Sequence, residues 1–195
     1  MGKIAIIMGP SSCGKDSIFK VLMQNNPYQL QPIVLCTTRP KRDGEIEGKT
    51  YYFKTEEEMK KLNADKQIVE SRVYDTFYGK WYYFTCNQGI TLKDYNYATI
   101  NTLTAYDQFC AYYGKENIIP IYIELDSGIR LQRALNREIQ QQEPKYEEMC
   151  RRFLADQQDF SLENIQRRNI INRVDNTGTI EDSVMQIDKI LKKYL

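Results

Sequence analysis

The chain has 195 residues, 42% of them hydrophobic and 27% charged, which bounds it to one ordinary globular domain with room for a small insertion. Lys plus Arg (27) against Asp plus Glu (26) leaves a net charge of +1, which argues against non-specific nucleic-acid or membrane-surface binding as the main activity. Histidine is absent and the five cysteines include no CxxC pair, so imidazole bases, Ser-His-Asp triads, ordinary zinc sites and a disulfide framework all drop out.

Residues 3–8 read as a buried strand and 15–24 as a helix ended by Asn25, Asn26 and Pro27. A second strand is expected over 33–36, then a polar exposed loop over 37–48. Strands follow at 50–54 and 67–74 around a helix at 55–63, with Thr55 as N-cap and Glu58 completing a capping box. A turn over 75–79 leads to an aromatic strand at 81–85. Helices near 87–94 and at 103–113 alternate with strands at 97–101 and 118–125, although Pro120 removes one ladder donor. Long helices at 127–141 and 144–160, a short strand at 170–174 and an amphipathic helix at 179–194 complete the chain. Such alternation implies a parallel sheet covered on both faces, with ligands beyond the carboxyl ends of its strands. The early apolar run is too short for a signal peptide, and no run approaches a membrane span. With unpaired cysteines, a cytoplasmic protein is expected.

The most specific stretch is Gly9, Pro10, Ser11, Ser12, Cys13, Gly14, Lys15, Asp16 and Ser17, set between the first strand and the first helix. Two glycines bracket four residues and Lys15 follows, the spacing of a phosphate-binding loop. Backbone N–H groups, a helix N-terminus and the lysine charge then converge on phosphate oxygens. The position after Lys15 is Asp16 where Ser or Thr is usual, with Ser17 beside it. Both are candidate ligands for Mg²⁺, and a plain helix-start preference for Asp is the alternative.

Residues 37–53 contain Thr38, Arg39, Arg42, Gly44, Glu45, Gly48, Tyr51 and Phe53. A nucleoside monophosphate carries about two negative charges, which forked arginines and tyrosine hydroxyls are suited to hold. This segment resembles the acceptor segment of guanylate kinases, and the order of the remaining elements agrees with that family. The resemblance implies an α/β P-loop NTPase-type three-layer fold with a central parallel sheet. It further implies a core of 1–36 and 86–195, a small mostly β NMP-binding insertion at 37–85, and a helical lid near 137–152.

The resemblance also assigns roles. Arg39, Arg42, Tyr51 and Tyr78 would hold the acceptor phosphate, while Glu70 would read guanine by accepting from its N1–H and 2-amino groups. Thr102, with Asn101, stands where the family carries aspartates. Lid arginines, with Arg137 and Arg152 favoured, would stabilise the moving phosphoryl group, and Asn176 would lie near adenine. Leu35, Lys80 and Thr102 depart from the family pattern at base and metal contacts. The implied activity is transfer of the γ-phosphoryl of ATP to GMP or dGMP with Mg²⁺, by a monomer or homodimer. A kinase for another nucleoside monophosphate and a non-catalytic, protein-binding module of the same fold remain the alternatives.

Overall fold

The computed structural model describes residues 1–42, 44–76 and 79–195. Its core is a five-stranded, all-parallel sheet of order β2-β7-β1-β8-β9, built from Gln31–Pro32, Tyr97–Ile100, Ile4–Met8, Ile118–Glu124 and Arg173–Asp175. Period-two alternation divides β1 between two apolar layers. Ile4, Ile6 and Met8 join Leu103, Tyr106 and Phe109 of helix α3 (Leu103–Tyr113) on one face. On the other, Ala5 and Ile7 join Ile18 and Leu22 of α1 (Lys15–Gln24) and Ile187, Ile190 and Leu191 of α7 (Ile180–Leu191). The result is the expected three-layer α/β arrangement. Each fully buried Ile or Leu stabilises it by about 1.5–3 kcal/mol. Pro120 is tolerated in β8 because the N–H two residues on, at Tyr122, faces β9, which has not yet begun opposite Pro120.

A second sheet, of order β4-β3-β6-β5, comes from Tyr52–Phe53, Cys36–Thr37, Gly79–Cys86 and Ile68–Thr76. Helix α2 (Glu56–Ala64) starts at the expected Thr55–Glu58 capping box. A register shift between Ile68 and Glu70 lets two successive residues be buried. Val69 enters the main core, and Glu70 turns beneath the cleft described below.

Several sequence expectations need correction. The strand expected at 33–36 is divided between the sheets. Gln31, Pro32 and the Ile33 N–H pair with β7, whereas Cys36 and Thr37 pair with β4 and β6. An apolar run does not reveal which sheet its halves join. No helix forms over 87–94. Ile90 N–H bonds to Asn87 O and Asp94 N–H to Thr91 O, forming successive turns, and Gly89 supplies a φ of 79°. The loop after residue 37 is not wholly exposed, since Thr37 and Arg39 are buried. A short helix, α6 (Leu162–Arg167), was not anticipated; Ser161 caps it. The two helices before it, α4 (Ser127–Ile139) and α5 (Tyr146–Asp159), are each slightly shorter than expected. The turn expected at 75–79 falls partly outside the described residues, as does Tyr78. Among the described residues, no helix is long and apolar enough to cross a membrane.

Candidate active site

The loop between β1 and α1 sits at the carboxyl end of the central strand, and its glycines are required by close packing. A Cβ on Gly9 would meet Cys13 Sγ at 2.7 Å and Ile123 O at 3.0 Å. Gly14 has a φ of 93°, and a Cβ there would run into the Asn176 amide. Asn176 is itself buried. Its Nδ2 donates to Cys13 O at 2.7 Å, and its Oδ1 accepts from Ser183 Oγ at 2.8 Å. The β9–α7 connection thus holds the loop from behind, and Asn176 does not line the open cleft. Ser12 has a φ of 63° and a buried hydroxyl with no partner among the described residues. Burial pushes the Cys13 thiol up, outweighing the lowering effect of Lys15, so Cys13 is packing rather than a reactive thiolate. Lys15 Nζ rests 3.4 Å from Pro10 O.

A cleft of about 680 Å³ runs from this loop to the second sheet. Gly9, Ser11 and Lys15 line one end. Leu35, Tyr51, Arg72, Tyr74, Trp81 and Tyr83 line the other, with Asn101 and Thr102 beneath. Helix α5 closes the side with Glu148, Arg151, Arg152, Asp156 and Asp159. Thr102 caps α3, its Oγ1 accepting from Ala105 N–H at 3.3 Å. An adjoining cavity of about 700 Å³ gathers Arg42, Arg137 and Arg152 with Lys145. Three arginines singled out from sequence therefore share one space although they lie on separate elements. Arg152 also pairs with Glu148 at 3.6 Å, in competition with Arg151 on the same carboxylate.

Arg39 is placed differently. Its guanidinium is buried and doubly engaged by Glu45, while Nε donates to Tyr83 OH at 3.1 Å and Nη1 to Pro40 O at 2.9 Å. It also lies over the Tyr51 and Phe53 rings. Its pairing holds the Glu45 carboxyl at about 2. Arg39 is absent from the cleft lining; it supports Tyr51 and Tyr83, which meet edge to face at 5.7 Å. Desolvation raises the Tyr51 hydroxyl, so it stays a neutral donor.

Glu70 also lies behind the surface. Its side chain has no exposed area, and it accepts from Thr85 Oγ1 at 2.8 Å and Arg72 Nε at 3.2 Å. Burial pushes its carboxyl up, while Arg72, Thr85 and Asn101 pull it back. The lining residues that sequence reasoning passed over are Arg72, Tyr74, Tyr83 and the acidic face of α5. The period of two along β5 was the available signal, since Glu70, Arg72 and Tyr74 share one face.

Among the described residues, no three His, Cys, Asp or Glu side chains form a ready-made metal cage. Asp16 and Ser17 are exposed in the first turn of α1 and offer hard oxygen donors. That donor set fits Mg²⁺, which takes one or two protein oxygens beside substrate phosphates.

Comparison with known proteins agrees with this geometry. The family model described as guanylate kinase matches residues 1–98. A guanylate kinase of Mycoplasma mobile is 43% identical over 79 residues, covering 40% of this chain and 39% of that protein. One from Caldanaerobacter subterraneus is 40% identical over 79 residues, 40% of this chain and 38% of its own. The match therefore spans about two fifths of these relatives' length. In fold, the chain is similar to the crystal structure of guanylate kinase from Anaplasma phagocytophilum, with a TM-score of 0.66 at 20% identity over 98% of this chain and 85% of that one. A gluconokinase from Sinorhizobium meliloti shares the fold more distantly, with a TM-score of 0.53 at 12% identity over 98% of this chain and 92% of that one.

Proposed function

The chain belongs to the guanylate kinase family, and from that premise we propose that it transfers the γ-phosphoryl group of ATP to GMP or dGMP, giving ADP and GDP or dGDP. The observation that carries the reading is the continuous cleft from Lys15 to Tyr51 and Arg72, with Arg42 and Arg152 at its side. In-line transfer requires a donor phosphate chain and an acceptor placed end to end, and the phosphate loop at one end with arginine and tyrosine donors at the other supports that reading. The intact Gly9, Gly14 and Lys15 count against a non-catalytic module of the same fold.

On this reading the loop N–H groups and Lys15 hold the donor phosphates. Arg42 and Tyr51 aim the acceptor phosphate, and Arg39 holds the tyrosines that do so. Tyr78 is proposed as a further phosphate contact from the family resemblance. Arg137 and Arg152 bring positive charge against the transferring group, which in related systems is worth roughly 10³–10⁵ in rate. Asp16 and Ser17 would hold Mg²⁺, which neutralises phosphate charge when bound. Thr102 fixes the floor of the acceptor site, and Asn176 fixes the loop. Residues 37–85 and the lid near 137–152 would close on the nucleotides and exclude water as a competing acceptor. Free nucleotides are the proposed partners and the cytoplasm the proposed site of action.

The decisive measurement is ADP release from ATP across a panel of ribo- and deoxynucleoside monophosphates. Release with GMP and dGMP supports the reading. Release with none of the panel ends it.

A further inference from the structure

The base-facing wall of the cleft presents donors where a carboxylate was expected. Glu70 has no exposed side-chain area, and its oxygens already receive Thr85 and Arg72. Arg72 is 18% exposed on the same face of β5 and lines the cleft in its place. Asn101 is 4% exposed and also lines the cleft. Its Oδ1 accepts from Thr102 N–H at 3.3 Å, which fixes the amide orientation. With Oδ1 so held, the amide nitrogen is turned to the Glu70 carboxylate, whose charged form it supports.

We propose that Arg72 is the base-specificity residue, donating to the O6 and N7 acceptors of a 6-oxopurine, so that the 2-amino group goes unread. This rests on the cleft being a nucleoside monophosphate site. A forked guanidinium matches the O6/N7 pair of guanine or hypoxanthine. Adenine places an amino donor against the same cation and is rejected. Glu70 acts as a positioning residue: it holds Nε and Nη2 from one side, which leaves Nη1 and the second Nη2 hydrogen for a ligand. Because Glu70 is engaged by Arg72, it has no free acceptor pair for N1–H and the 2-amino group. The substrate class therefore widens from guanine to 6-oxopurine monophosphates, IMP together with GMP.

The test is equilibrium binding of GMP, IMP and AMP to the full chain by calorimetry, with kcat/KM measured in parallel. GMP and IMP are expected to bind within about threefold of each other and AMP at least 30-fold more weakly. Arg72→Ala frees Glu70 and should raise the GMP preference over IMP at least tenfold. Arg72→Lys, which keeps the charge and loses the fork, should give a smaller rise and guards against a folding failure in the alanine variant. A wild-type preference for GMP over IMP above 30-fold overturns the proposal, as does an unchanged ratio in both variants. Binding of none of the three overturns it too. Equal GMP and IMP binding without turnover upholds it and counts against the kinase reading alone.

Discussion

Asp156 Oδ2 accepts the Ser11 N–H at 2.6 Å, so a carboxylate of α5 occupies a donor of the phosphate loop itself. A negative group at that N–H competes with an incoming phosphate for the same donor. Asp156→Ala should therefore lower KM for ATP by roughly three- to tenfold with a small change in kcat. ATP titrations at saturating acceptor check this. A raised KM would mean instead that Asp156 holds the loop in its binding shape.

Arg42 is the one acceptor-segment arginine that lines both the main cleft and the adjoining arginine-rich cavity. Arg42→Ala should lower kcat/KM for the monophosphate at least tenfold, whereas Lys41→Ala, one residue away and outside the cleft lining, should leave it nearly unchanged. Comparable losses in the two would reduce Arg42 to a contributor to general surface charge.

Asn176 joins the loop carbonyl of Cys13 to Ser183. Asn176→Ala strands both partners in a buried place and should cost about 1–3 kcal/mol of stability by urea unfolding. ATP affinity should fall with it, because the loop loses its support from behind. Ser183→Ala should cost less, since the Cys13 contact survives.

The Arg39–Glu45 pair gives a pH signature. Pairing lowers the Glu45 carboxyl from an ordinary value near 4.5 to about 2. A depressed carboxylate stabilises the folded state fully above its unfolded value, and that contribution is lost as pH falls through the folded one. The stability gap between wild type and Glu45→Gln should thus be constant above about pH 5 and shrink steadily toward pH 2. Urea midpoints taken across that range test it, and a gap independent of pH would show the pair contributes only shape.

Asp16 and Ser17 are the oxygen donors nearest the start of α1. Asp16→Ala should raise the Mg²⁺ concentration needed for half-maximal turnover several-fold. An unchanged requirement would leave Asp16 with only its favourable position at a helix N-terminus.

Local chemistry was legible where it was self-contained. The loop spacing fixed β1, the loop and α1, and the Thr55–Glu58 box fixed the start of α2. What depends on long-range pairing was hidden. Nothing in Ile33, Val34 and Leu35 announces that the chain changes sheets between Pro32 and Cys36. Arg39 looks like an exposed loop cation until Glu45, six residues on, and Tyr83, far along the chain, are seen to enclose it. Glu70 was found by resemblance, but its concealment behind Arg72 follows from the register shift and the strand period.

The lone tryptophan, Trp81, stands in the cleft wall beside Arg42 and Tyr83. Indole emission responds to the polarity and mobility of its surroundings, so the molecule carries its own optical reporter at the place where the acceptor would dock. With no second indole to blur the signal, unlabelled protein suffices for stopped-flow fluorescence. Nucleotide arrival and any closure around it that is slower than mixing become separately timed events.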